Sequence, residues 1–370
     1  MDNHRLQALH DAGQSIWLDY IDRTMLHNGD LERRLTDDVL TGMTSNPTIF
    51  QKALAEGSAY DAQLRAAPPG MTLPQLFELV ETTDVRDACD IFADVYHRTG
   101  GEDGFVSIEV SASVANDATA TVEEAHRLWE TVNRPNLLVK VPGTEEGAKA
   151  VRQLTTDGIN VNITLLFAVK AHERVIDAYI EGLEARVARG QPIDHIASVA
   201  SFFVSRVDTE VDKRLEAIGG DARNHEGKAA VANAKMAYQL FVNKFSGPRW
   251  SALEAKGGRV QRPLWASTST KNAAYRDVLY VETLIGPHTV NTMPPKTIED
   301  FRDHGIVART VDANLDRARA ELKAVADAGV SLDDVTDTLL RDGIANFEKS
   351  FATLTAGIQA KVAQLQHSTV

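Results

Sequence analysis

The sequence predicts an α/β protein, a single (β/α)8 TIM barrel with additional helices and a C-terminal helix packed on the barrel, in one domain spanning residues 1–370. Three observations support this. Eight short β-rich runs alternate with longer helical patterns, the order that produces βα units on a parallel sheet. No low-complexity linker divides the 370 residues, and this fold commonly runs to about 250 residues or more as one domain. Hydrophobic residues make up 43% of the chain, enough for a complete core.

The first run, "SIWLDYI" (15–21), is rich in β-branched and aromatic residues, and "GMTSN" (42–46) follows it as a shorter second. "FVSIEV" (105–110) and "NLLVKV" (136–141) are the third and fourth. After the fourth, "PGTEE" breaks the strand and opens a helix, with Thr144 as N-cap and two acidic residues in the first turn. "INVNITLLF" (159–167) is the fifth, followed by the helical "AVKAHERVIDAYIEGLEARVA". "HIASVASFF" (195–203), "RPLWAST" (262–268) and "HTVNTMP" (288–294) complete the set. The long connections 51–104 and 204–261 carry helical patterns of their own, and "AAPPG" (66–70) is a turn between helices. In the tail, Phe347, Phe351, Leu354, Ile358, Val362 and Leu365 form one apolar stripe at helical spacing, which suits docking on the barrel more than recruitment of a partner.

Composition narrows the function. A formal net charge of −13 argues against nucleic acid and anionic membrane as partners, while leaving room for a local basic pocket. No apolar run reaches the roughly 20 residues that span a bilayer, and "MDNHRLQALHDAGQ" lacks the basic and apolar regions of a signal peptide, so a soluble cytoplasmic protein is expected. The single cysteine, Cys89, excludes an intrachain disulfide and sits in a helical apolar pattern that marks it as a core residue rather than a nucleophile. The nearest two of the eleven histidines, His4 and His10, are six apart, and no His-x-x-x-His spacing occurs, so nothing asks for a metal.

Lys140 is the residue that demands an explanation. Barrel strands are covered on both faces, so a lysine between Val139 and Val141 has no solvated side unless it lies near a strand end. Pro142 and Gly143 place it at the C-terminal mouth, where active sites of this fold are built. A rim lysine reaching into water is the simple alternative. Its company argues otherwise: Asp19 and Glu109 end the first and third strands, and Asn162 and Thr164 share one face of the fifth. An amine whose charged form burial disfavours is a nucleophile toward a ketone, and two carboxylates in separate environments can divide the proton transfers of imine formation and C–C cleavage.

At these residues the chain resembles the transaldolase family. "TSNPTIF", "NLLVKVPGT", "GINVNITLLF", "SVASFFVSRVD" and "LWASTSTKN" occur in the family's order, and the resemblance runs from about residue 15 to the C-terminal helix. It implies that Lys140 forms the Schiff base and that Asp19 handles the proton of the hydroxyl beside the cleaved bond. Glu109 and Thr164 would serve imine formation through a water; Asn46 and Asn162 would hold the dihydroxyacetone unit, with Ser201 also touching substrate. Arg206 and Ser267 would bind phosphate. The loop "ASTSTKN" departs from the shorter arginine-bearing segment of one family branch, which leaves Lys271 as the second cation. Phe203 would stand where related aldolases carry a tyrosine.

The implied reaction transfers a dihydroxyacetone unit from sedoheptulose 7-phosphate to glyceraldehyde 3-phosphate, giving erythrose 4-phosphate and fructose 6-phosphate, in the non-oxidative pentose phosphate pathway. Phosphorylated sugars are thus the expected partners, a homo-oligomer is compatible with the sequence, and no cofactor is needed because the iminium is the electron sink. The alternatives are an aldolase that releases free dihydroxyacetone and a non-catalytic sugar-phosphate sensor; the presence of Lys140, Asp19 and Glu109 together argues against the second.

Overall fold

Eight parallel strands close on themselves in sequence order: β1 (Gln14–Asp19), β2 (Leu40–Thr44), β3 (Phe105–Glu109), β4 (Leu137–Pro142), β5 (Val161–Leu166), β6 (Ser198–Phe203), β7 (Arg262–Ala266) and β8 (Thr289–Met293). The computed structural model describes residues 3–45, 50, 54 and 57–367. All eight expected strands are present, with ends shifted by up to three residues. The barrel closes where β1 pairs with β8, with Trp17 opposite Thr292 and Leu18 opposite Met293.

Alternation along each strand sorts the side chains into two cores. One set points outward into the main core under the surrounding helices; Ile16, Leu18, Val139, Val141, Ile163 and Phe202 are examples. The other fills the barrel interior, where Trp17, Phe105, Leu138, Val199, Leu264 and Val290 form a separate apolar plug. Trp17 fits only because β2 carries Gly42: a Cβ there would lie 2.5 Å from the indole ring. The indole N–H donates to Asp103 at 2.8 Å, and Asp103 also bonds Ser15 at the lower end of the barrel. Two residues farther along most strands, and four along β3, stand polar interior positions above the plug: Asp19, Thr44, Glu109, Lys140 and Ser201. The interior is therefore closed by apolar packing below and lined by polar and ionisable groups above, at the end where active sites of this fold are built.

The helix after β4 starts as the sequence indicates. Thr144 accepts a hydrogen bond from the Gly147 N–H at 2.9 Å, and Glu145 and Glu146 occupy the first turn. Gly147 has no freedom to be larger, since a Cβ would lie 1.8 Å from the Pro142 carbonyl oxygen. Residues 67–72 form the turn between helices Asp61–Ala66 and Leu73–Ile91, and Cys89 is buried in the latter.

The C-terminal helix is longer than the apolar stripe suggests, running from Leu332 to His367. Its second half docks as expected: Leu354 and Ile358 are fully buried, and Phe351 packs edge-on against Phe77 at 5.3 Å. Its first half crosses the mouth of the barrel, and Phe347 faces that opening instead of the core.

Candidate active site

The upper interior of the barrel opens into a cavity of about 830 Å³. Asp19, Glu109, Lys140, Thr164, Ser201, Phe203, Arg206, Ser267 and Lys271 all line it, although they come from five strands, one helix and the loop after β7. Among the described residues, no group of three or more His, Cys, Asp or Glu side chains is placed to hold a metal ion.

At the floor, the Lys140 ammonium donates to Glu109 Oε2 and to the Ser45 carbonyl oxygen, each at 3.1 Å. Parallel pairing puts these residues side by side: Glu109 is opposite Lys140, and Lys140 is opposite Asn162. Burial raises the Glu109 carboxyl above its ordinary range against the opposing Lys140 charge and hydrogen bond. Asp19, across the barrel, is likewise raised by burial, opposed first by the Lys140 charge and then by a Thr44 hydrogen bond of 3.0 Å. Because the Thr44 hydroxyl gives its one proton to Asp19, Thr292 donates to Thr44, at 2.6 Å. Two carboxyls held closer to neutral pH than in water, on opposite sides of one amine, are suited to general acid–base work.

Thr164 has a hydroxyl without a hydrogen-bond partner among the described residues, which leaves it available to a bound molecule. The strand breaks its register just after it, and Leu165 adopts φ of 58°. A left-handed leucine costs on the order of 1–3 kcal/mol and persists only where its surroundings fix it. Here the distortion turns Leu165 to the cavity wall, against Gly343 of the C-terminal helix, where a Cβ would lie only 3.1 Å away.

Asn162 stands level with Lys140 on the neighbouring strand. It is fully buried and does not line the cavity: its carboxamide donates to Ser107 Oγ at 3.0 Å and accepts from Ser201 Oγ at 2.6 Å. Two residues on one strand share a face yet stand about 6.6 Å apart along it, so Asn162 falls one layer below Thr164. Its position suits holding Ser201, which does reach the cavity. Asn46 lies outside the described residues.

The outer cavity is cationic. Arg206, the second residue of the helix Ser205–Ile218, places its guanidinium 5.3 Å from the centre of the Phe203 ring. Lys271 extends from the loop after β7 and donates to Ser269 at 2.6 Å. Its proton affinity is lowered by the cavity walls first and by the Arg206 charge next. Neither cation has an ion-pair partner among the described residues. Two unpaired like charges beside a helix N-terminus make an anion-binding arrangement. Ser267, held at φ of 55°, bonds Ser205 at 2.9 Å and edges the same region.

Some cavity residues escaped the sequence reading. Thr44 and Thr292 obey the same alternation as Asp19 and were legible from it. Leu339, Asp342, Asn346 and Ser350 reach the mouth from the C-terminal helix, and no local pattern indicates that this helix crosses it.

A closed barrel that holds a buried amine between two carboxyls, beneath a cationic mouth, has the outline of an enzyme active site. Comparison with known proteins makes the class specific. The sequence model of the family described as Transaldolase/Fructose-6-phosphate aldolase matches residues 16–358, and the chain belongs to this family. It is 49% identical over 355 residues to a protein named Transaldolase from Acidothermus cellulolyticus, covering 95% of each chain. It is 47% identical to Transaldolase of Thermobifida fusca and 46% identical to that of Mycolicibacterium smegmatis, covering 97% of this chain and 98% of the other in both cases.

Proposed function

We propose that this protein is a transaldolase, a transferase that moves a dihydroxyacetone unit between phosphorylated sugars through a Schiff base on Lys140. The observation that carries the reading is the Lys140 amine bonded to Glu109 on the floor of a cavity whose opposite wall holds Asp19. The full-length similarity to proteins named Transaldolase supports it.

In this reading Lys140 passes a proton to Glu109, and its nitrogen attacks the ketose carbonyl carbon at C2. The carbinolamine hydroxyl leaves as water, protonated by Glu109 with a water held between Glu109 and Thr164. Asp19 then takes the C4 hydroxyl proton. The C3–C4 bond breaks, its electron pair moves into the iminium, and the first aldehyde departs. The enamine on Lys140 attacks the carbonyl of the acceptor aldehyde, Asp19 returns the proton to the new alkoxide, and hydrolysis frees the product. Arg206, Ser267 and Lys271 hold the phosphate, and Ser201 a substrate hydroxyl. Sedoheptulose 7-phosphate and glyceraldehyde 3-phosphate are the pair we assign, giving erythrose 4-phosphate and fructose 6-phosphate in the non-oxidative pentose phosphate pathway. Cytoplasmic location follows from that role. No helix among the described residues is long and apolar enough to cross a membrane.

Transfer rather than release requires the enamine to outlast departure of the first aldehyde. Phe203 supports this, because its ring, packed on Phe167 at 5.3 Å, forms cavity wall with no hydroxyl to position water or deliver a proton. Product analysis with fructose 6-phosphate tests the reading. Little dihydroxyacetone forms from this sugar alone, and turnover is rapid once erythrose 4-phosphate is added. Fast dihydroxyacetone formation without acceptor would make the protein an aldolase.

A further inference from the structure

The loop that carries Lys271 is tied to the helix that carries Arg206. Tyr275 donates its hydroxyl to Asp212 Oδ2 at 2.6 Å, and the other carboxylate oxygen accepts from the Gly227 N–H at 2.9 Å. Asp212 lies in the helix Ser205–Ile218, which begins beside Arg206. One turn earlier, Asp208 accepts from Tyr280 Oη at 2.8 Å and from the Ala230 N–H at 2.7 Å. The loop is also closed upon itself. Thr270 donates to the carbonyls of Arg276 and Asp277 at 2.9 and 3.0 Å, and the Asn272 side chain accepts from the Ala274 N–H at 2.9 Å. Residues 270–277 thus form one unit with Lys271 on it, and Tyr275 is its anchor.

Gly227 makes room for that anchor. At φ of 70° it lies under the tyrosine ring, and a Cβ there would be 2.7 Å from Cζ and 2.9 Å from the hydroxyl oxygen. Lys271 also borders a second cavity of about 220 Å³, walled by Asp208, Asp212, Glu216 and Glu226. A lysine is a point charge on a flexible stem. With carboxyls on one side and the anion-binding mouth on the other, its direction depends on how the loop is held.

We propose that Tyr275 and Asp212 are positioning residues for Lys271, clasping its loop to the Arg206 helix so that both cations meet the donor's phosphate at a fixed spacing. The proposal rests on the phosphate-binding reading given above.

The test compares fructose 6-phosphate with unphosphorylated fructose as donor, using D-glyceraldehyde as acceptor throughout. Tyr275→Phe keeps the ring and removes the bond to Asp212. It raises KM for fructose 6-phosphate by about fivefold to tenfold, a part of what a charge-assisted hydrogen bond contributes. Its kcat and its use of fructose stay at the wild-type level. In a Lys271→Ala background the same substitution has no further effect, because contacts that act through one another are not additive. Gly227→Ala displaces the ring while leaving the tyrosine in place, and it gives the same split; this variant decides the matter if Tyr275→Phe folds poorly. Equal losses on both donors, or full additivity with Lys271→Ala, would overturn the clasp. If Lys271→Ala itself leaves the preference for the phosphorylated donor intact, the phosphate reading falls, and the clasp with it.

Discussion

Glu109→Gln removes one charge and little volume from the floor of the cavity, and two consequences follow. In the wild type, Lys140 and Glu109 are buried partners 3.1 Å apart, with side-chain exposures of 10% and 4%. At an effective dielectric constant of about 20, unit charges at 3.1 Å attract by about 5 kcal/mol. Much of that is offset by desolvation of both groups, yet removing one partner of such a pair costs about 3–5 kcal/mol, because the other charge stays buried and unpaired. The Ser45 carbonyl and the new carboxamide oxygen remain to accept from Lys140, but neither carries a charge to offset the ammonium. Urea unfolding therefore places Glu109→Gln about 3–5 kcal/mol below the wild type. Adding Lys140→Met to Glu109→Gln recovers most of that loss. The second consequence is kinetic. The amide cannot take or give the proton, so borohydride trapping in a single turnover shows imine formation slowed by about 10²–10⁴-fold. A variant as stable as the wild type, with no coupling to Lys140→Met and an undiminished trapping rate, would show that Glu109 neither pairs with the Lys140 charge nor moves its proton.

Asp19→Asn leaves imine formation intact and blocks C–C cleavage, so borohydride captures the full-length ketose adduct; the same defect as Glu109→Gln would show that the two roles are wrongly divided. Arg206→Ala and Lys271→Ala each lower kcat/KM for phosphorylated sugars by about tenfold to a hundredfold, as expected for a charge-assisted hydrogen bond. The larger loss falls at Arg206 because of its two-pronged donor, and unchanged kinetics in Lys271→Ala would remove that residue from the phosphate site. The buried Asp208 carboxyl is pushed up to about 7 from 3.8, chiefly by burial. Between these values the folded chain keeps a proton that the unfolded chain has released, so stability falls as pH rises. The contribution lost between about pH 4 and pH 7 is up to about 4 kcal/mol. Asp208→Asn flattens this part of the stability curve, and an unaltered slope would assign it elsewhere.

Most of the barrel was legible in the sequence because alternation and length suffice to place strands, and because "PGTEE" after Lys140 marks a strand end and a helix start together. The same alternation put Lys140, Asp19, Glu109 and Thr164 around one opening. It could not show that Asn162 is held by Ser107 and Ser201, since contacts across a barrel follow from the stagger between strands and not from the face of one strand. Leu165 was equally hidden: a bulge is invisible to a pattern of period two. The path of the C-terminal helix over the mouth depends on contacts far apart in sequence, such as Gly343 on Leu165. The tie between Tyr275 and Asp212, 63 residues apart, left no local signal either.

In the proposed mechanism Lys140 is the nucleophile. Incubation with fructose 6-phosphate and borohydride, followed by mass mapping of the digested protein, tests it directly. A nucleophilic Lys140 gives a reduced three-carbon adduct on the peptide that contains it, and Lys140→Ala shows no turnover. An adduct on any other lysine, or a fully active Lys140→Ala, would contradict that role.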